Sequence, residues 1–171
     1  MIYKFENVVY DLNSRTHIMG VLNITPDSFS DGGKYFESKV KLDKVIEDAV
    51  QMEMDGADFI DVGGESTRPG SESITIDEEL ERVIPVISEL KKKINIPVSI
   101  DTYKHEVAEE ALKAGAEIVN DISGFNFDDK LPDVTAKYNA SCILMHIKGT
   151  PKNMQKDPTY NNVVEEVYEY L

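Results

Sequence analysis

Ile96-Pro-Val-Ser-Ile-Asp101, a helical stretch from about Lys104 to Ala114 closed by Gly115, and then Ala116-Glu-Ile-Val-Asn120 form the passage that decides the fold. Each apolar run is too short for a helix and shows no alternation, so it reads as a strand covered on both faces. The glycine after the helical stretch sits where a helix ends in a left-handed residue. Strand, helix and strand in series imply a parallel pair joined by a crossover.

The same unit repeats on both sides. Upstream, His17-Ile-Met-Gly-Val-Leu-Asn23 is a strand, followed by a helix from about Ser38 to Asp55 with Leu42, Val45, Ile46 and Ala49 at helical spacing, stopped at Gly56. Ala57-Asp-Phe-Ile-Asp-Val62 is the next strand. Thr75-Ile-Asp-Glu78 reads as a capping box for a helix whose apolar face is Leu80, Val83, Ile84, Ile87 and Leu90. Pro85 falls inside that helix and predicts a kink or an early break. Downstream come a helix from about Asp128 to Tyr138, the strand Ser141-Cys-Ile-Leu-Met-His146 and a last helix from Tyr160 to Leu171. Met1 to Ser14, with Phe5, Val8, Tyr10 and Leu12 alternating, suggests a short hairpin ahead of the first unit.

The expectation is therefore an α/β chain with five βα units, read as a single domain over residues 1–171. A doubly wound sheet and a (β/α)8 barrel of the TIM type both fit. Polar residues end several strands: Asn23, Asp101, Asn120 and His146. Barrels place chemistry at the C-terminal ends of many strands, whereas an open sheet concentrates it at one switch point. The polar endings favour the barrel. A closed barrel takes about 250 residues and eight units, so the five units here are expected to be a partial barrel, truncated at its C-terminal side.

A formal charge of −14, from 32 acidic and 18 basic residues, argues against a general nucleic-acid surface or an anionic membrane surface. An anionic ligand would need local cations, backbone N–H groups or a metal. One cysteine, Cys142, allows no internal disulfide and fits a reducing cytosol. It lies in an apolar strand and is expected in the core. No apolar run approaches the roughly 18 residues of a membrane span, and no signal-peptide core is visible.

Two loops carry unusual polarity. Asn23 to Gly33 contains Asp27, Ser28, Ser30, Asp31, Gly32 and Gly33 directly after a strand end, where a lid over a barrel mouth belongs. A mobile surface loop is the plainer reading. Gly63-Gly-Glu-Ser-Thr-Arg-Pro-Gly-Ser71 offers a tight turn with exposed N–H groups, and Ser66, Thr67 and Arg68 add hydroxyl donors and a cation. That set suits a phosphate or diphosphate; a Gly-rich turn with a surface arginine is the alternative. Asp101 and Asn120 would match a heterocycle with an N–H and amino edge. An Asp N-cap and a salt-bridged Asp121 are the structural alternatives. His17, His105 and His146 show no metal spacing, and His105 is expected to face solvent on its helix.

Met19-Gly-Val-Leu-Asn-Ile-Thr-Pro-Asp-Ser-Phe-Ser-Asp-Gly-Gly33 and Asp61-Val-Gly-Gly-Glu-Ser-Thr-Arg-Pro-Gly70 resemble the two signatures of the dihydropteroate synthases. Ser99-Ile-Asp-Thr-Tyr-Lys104, Val119-Asn-Asp-Ile-Ser-Gly124 and Met145-His-Ile-Lys-Gly-Thr-Pro151 continue the resemblance in order. It implies a (β/α)8 barrel that condenses 6-hydroxymethyl-7,8-dihydropterin diphosphate with p-aminobenzoate in folate synthesis. By that likeness Asp101 and Asn120 bind the pterin edge, and Ile122 and Met145 pack on its ring. Asn23 helps hold Mg2+ and the diphosphate. Thr67 and Arg68 touch the diphosphate or the p-aminobenzoate carboxylate. Phe29, Ser66 and Pro69 shape the p-aminobenzoate pocket, where sulfonamides bind. The resemblance further implies a cytoplasmic homodimer at full length and an inactive chain when the C-terminal half of the barrel is missing. A pterin-binding methyltransferase domain and a non-catalytic pterin-binding fragment are the competing readings.

Overall fold

The computed structural model describes residues 2–5, 9–25, 40–68 and 71–171. Its centre is a five-stranded parallel sheet: β3 (Met19–Asn23), β4 (Phe59–Gly63), β5 (Val98–Asp101), β6 (Ile118–Asp121) and β7 (Ser141–Leu144), arranged in chain order. The sequential order has no reversal, so there is no switch point of the doubly wound kind. An antiparallel hairpin of β1 (Ile2–Lys4) and β2 (Val9–Asp11) stands ahead of it, as the alternation in that segment predicts.

The helices are α1 (Leu42–Met54), α2 (Ile76–Lys93), α3 (His105–Lys113), α4 (Leu131–Lys137) and α5 (Val163–Tyr170). Successive side chains of a strand point to opposite faces. The row Leu22, Val62, Ile100 and Val119, paired in register across β3 to β6, is fully buried in one core with Val45, Ala49, Val83, Ile87, Leu90, Val107 and Leu131 from the helices. Cys142 continues that row in β7 but is exposed, contrary to expectation. It occupies the outer strand at the end of the row, and α5, the helix that follows β7, contributes no buried residue. An apolar position is a core position only if a helix covers it.

Local signals fare well elsewhere. Thr75 Oγ1 accepts from Glu78 N at 3.2 Å and starts α2. Gly56 and Gly115 take φ of 103° and 110° just beyond α1 and α3, which a side chain would resist. The break expected at Pro85 does not occur, since α2 runs unbroken from Ile76 to Lys93. Pro85 and Glu81, whose carbonyl loses its helical partner, are both on the exposed face of the helix, where solvent can take the partner's place.

The hairpin packs at the N-terminal ends of the strands. Phe5 and Tyr10 are buried with Ile118, the first residue of β6, and with Phe59, the first of β4. Tyr10 donates to the Asp58 carbonyl at 2.9 Å. The C-terminal ends of the strands are left for the loops.

Candidate functional site

The sheet face turned away from the helices carries the polar residues. Reading across it in register, one row is Val21, Asp61, Ser99, Ile118 and Ser141, and the row nearer the C-terminal ends is Asn23, Gly63, Asp101, Asn120 and Ile143. The second row thus brings together Asn23, Asp101 and Asn120. Gly63 stands between two of them: a Cβ placed on it would lie 3.5 Å from Asp101 Oδ2 and 3.9 Å from Asn23 Oδ1. Both side chains thus border the space beside Gly63, in which a Cβ would make only ordinary contacts.

Asp101 ends β5 and makes no helix cap. Asp128 Oδ2 instead accepts from His105 N at 2.9 Å at the start of α3. Asp101 Oδ1 is buried without a partner among the described residues, as are Asp61 Oδ1 and Ser99 Oγ. Burial, with the negative charges of Asp61, Glu79, Asp121 and Glu65 around it, pushes the Asp101 carboxyl up to about 8. The carboxyl is therefore largely protonated at neutral pH and ready to pair with a donor-bearing edge. Asp61, 4% exposed, is also raised by burial, against the opposing effect of Ser99 and Asn120. Asn120 Nδ2 donates to Asp61 Oδ2 at 3.1 Å. Neither Asp61 nor Ser99 was singled out from sequence. Their signal was polarity at alternate positions inside apolar strands.

The loop after β4 is tied down by a buried ionic cluster. Lys104 Nζ contacts Glu65 Oε2 at 2.5 Å, Glu79 Oε2 at 2.6 Å and the Ile74 carbonyl at 2.9 Å. Tyr103 donates to Glu65 Oε1 at 2.7 Å, and Arg82 donates to the Gly64 carbonyl at 2.7 Å. Ser66, Thr67 and Arg68 follow Glu65 and are half-buried. The Arg68 carbonyl accepts from Ser71 N and Oγ. Phe29 and Pro69, with residues 26–33 of the expected lid, lie outside the described residues.

After β6, Asp121 organises the next loop through hydrogen bonds rather than a salt bridge. It accepts from Ser123 N at 2.8 Å, Ser123 Oγ at 2.9 Å and Phe125 N at 2.6 Å. Ile122 is buried beside it, and Met145, after β7, is 40% exposed. His105, expected to face solvent, is half-buried with Nδ1 2.7 Å from Asp128 Oδ2 and 3.0 Å from Glu106 Oε2. Among the described residues these three are the one group of His, Cys, Asp or Glu close enough to share a metal. Asp128 already serves there as a helix cap, and Asn23 is not among them. No helix among the described residues is long and apolar enough to cross a membrane.

A family model described as pterin binding enzyme matches residues 19–171. A dihydropteroate synthase of Synechocystis sp. is 47% identical over 163 residues, covering 95% of this chain and 55% of that protein. The fold superposes on the crystal structure of Yersinia pestis dihydropteroate synthase with a sulfonamide drug complex, with a TM-score of 0.91 and 39% identity over 99% of this chain and 60% of the other. A Clostridium difficile dihydropteroate synthase, crystallised in the presence of pteroic acid, gives a TM-score of 0.81 and 48% identity over 94% and 57%. The chain spans about half the length of the curated relatives it matches.

Proposed function

Because the chain belongs to the pterin-binding enzyme family, we propose that it is the pterin-binding part of a dihydropteroate synthase, over residues 1–171. The reaction joins 6-hydroxymethyl-7,8-dihydropterin diphosphate to p-aminobenzoate, giving dihydropteroate and diphosphate. The observation that carries this reading is the polar row Asn23, Gly63, Asp101 and Asn120 at the C-terminal ends of adjacent strands. Pteroic acid, with which the Clostridium difficile relative was crystallised, joins the two rings that such a site would hold.

In this reading Asp101 and Asn120 pair with the amino and N–H edge of the pterin. Donors on that edge stabilise the ionised Asp101, so binding draws a proton off the carboxyl. Ile122 and Met145 pack against the ring. Thr67 and Arg68 hold the diphosphate or the p-aminobenzoate carboxylate, and Ser66 with Phe29 and Pro69 shapes the p-aminobenzoate pocket. The leaving diphosphate takes the electrons of its bond to the pterin methylene, and the arylamine attacks that carbon. The protein's contribution is positioning and charge stabilisation, with water kept out.

Mg2+ fits one part of this site. Asn23 Oδ1, which borders Gly63 as Asp101 does, is the kind of oxygen ligand a hard cation takes. One protein oxygen suffices for an ion held mainly by phosphate oxygens and water. When bound, Mg2+ neutralises charge on the departing diphosphate. The likeness to the family also supports a homodimer in the cytoplasm.

The test is product formation from the two substrates by the protein at the full length of its relatives. Dihydropteroate and diphosphate are expected in equal amounts; no product from folded protein with both substrates and Mg2+ would sink the proposal.

A further inference from the structure

We propose that Asp61 is a positioning residue of the pocket: by accepting from Asn120 Nδ2 it fixes that amide so that Asn120 Oδ1 is the edge shown to the ligand. This rests on reading the site as a pterin pocket.

The geometry is specific. Asp61 lies on β4 and Asn120 on β6, so their 3.1 Å hydrogen bond spans the intervening β5. Asp61 sits one row deeper than Asn23, Asp101 and Asn120, on the same face. It is 4% exposed, and its neighbours along the row are Val21 and Ser99. A carboxyl group so placed is costly to bury, and an apolar side chain would serve packing better. The Asn120 amide donates to its Oδ2, while Oδ1 is left without a partner among the described residues.

An asparagine amide has a donor end and an acceptor end that differ little in shape. Left free, it presents either. A carboxylate oxygen beneath Nδ2 selects one orientation, and so does the neutral acid when its proton sits on Oδ1 and leaves Oδ2 to accept. The acceptor then faces the mouth. With Asp101 beside it, the pocket demands a ligand edge rich in N–H donors. Asp61 thereby sets ligand specificity without touching the ligand.

The experiment compares Asp61→Ala and Asp61→Asn with the wild type. Steady-state kinetics on the full-length protein give KM for each substrate. Side-chain amide NMR of Asn120 is recorded on the empty protein. Asp61→Ala is expected to raise KM for the pterin diphosphate about ten-fold, the worth of one hydrogen bond, and to leave KM for p-aminobenzoate unchanged. It should also move the two Asn120 amide proton shifts to those of a free asparagine amide. Asp61→Asn keeps the shape but can turn either amide end to Asn120, so it should restore only part of both properties. An unchanged pterin KM, an equal rise in both KM values, or an Asn120 signal indifferent to Asp61→Ala overturns the proposal. Failure of the wild type to use pterin sinks the pocket assignment instead, while the Asn120 signal still decides the role of Asp61.

Discussion

Lys104 lies with its ammonium 2.5 Å from Glu65, joining the end of β5 to the loop that leaves β4. Glu79 approaches the same nitrogen at 2.6 Å, and both carboxylates are at least nine-tenths buried. Burial pulls the lysine pKa down, but the two carboxylates hold it above its ordinary value. Lys104→Met leaves two buried negative charges facing each other. A loss of about 3–5 kcal/mol in urea unfolding is expected. A double substitution with Glu79→Gln should recover part of it; a Lys104→Met protein as stable as the wild type would contradict the account.

Asp101 sets a pH dependence. Its folded pKa is about 8 against a reference of 3.8, so the folded state holds the proton more tightly. The stability this group contributes is present below about pH 4 and is lost as pH rises towards 8. Asp101→Asn removes the buried charge and should stabilise the protein at pH 8 by about 1–3 kcal/mol, with no gain at pH 4. Pterin binding should be lost in the same variant. Thermal melts at the two pH values, paired with calorimetry using 6-hydroxymethylpterin, check both halves.

Gly64 has no room for a side chain. A Cβ there would lie 2.7 Å from Val83 Cγ1 and 3.1 Å from Glu79 Cγ. Gly64→Ala must push β4 away from α2, at a cost of about 1–3 kcal/mol. The loop bearing Ser66, Thr67 and Arg68 starts here, so KM for p-aminobenzoate should rise as well. Steady-state kinetics with each substrate varied in turn separate this from a general loss of folded protein.

Tyr10→Phe removes the hydroxyl that meets the Asp58 carbonyl. The expected cost is about 1 kcal/mol by denaturant titration. Because Tyr10 sits at the opposite end of the strands from Asp101, ligand binding should be unaffected. A change in pterin affinity would show that the two ends are coupled.

Much of this was legible in the sequence. Short apolar runs and the glycines at 56 and 115 located the strands and helix ends. Asn23, Asp101 and Asn120 could be placed together because polar residues at strand ends must meet if the strands are parallel and adjacent. What escaped notice depends on partners distant in the chain. Asp61 and Ser99 look like ordinary polar interruptions until the register puts them side by side, one row below Gly63 and Asp101. His105 looks exposed until Asp128, 23 residues later, caps its helix. Cys142 looks like core because its neighbours along the strand are apolar, whereas burial depends on which helix lies across it. Pro85 broke nothing, because its lost hydrogen bond falls on the wet side of α2.

The hairpin has a consequence for how the chain is made. Residues 2–11 leave the ribosome well ahead of Phe59 and Ile118, against which Phe5 and Tyr10 are buried. At roughly 5–20 residues per second, translation takes several seconds to deliver that last partner. Through that interval the aromatic faces of the hairpin are only partly covered, and a nascent chain is exposed to non-native association. The hairpin is thus made early and locked late, and substitutions at Phe5 or Tyr10 should show as poor yield before they show as poor function.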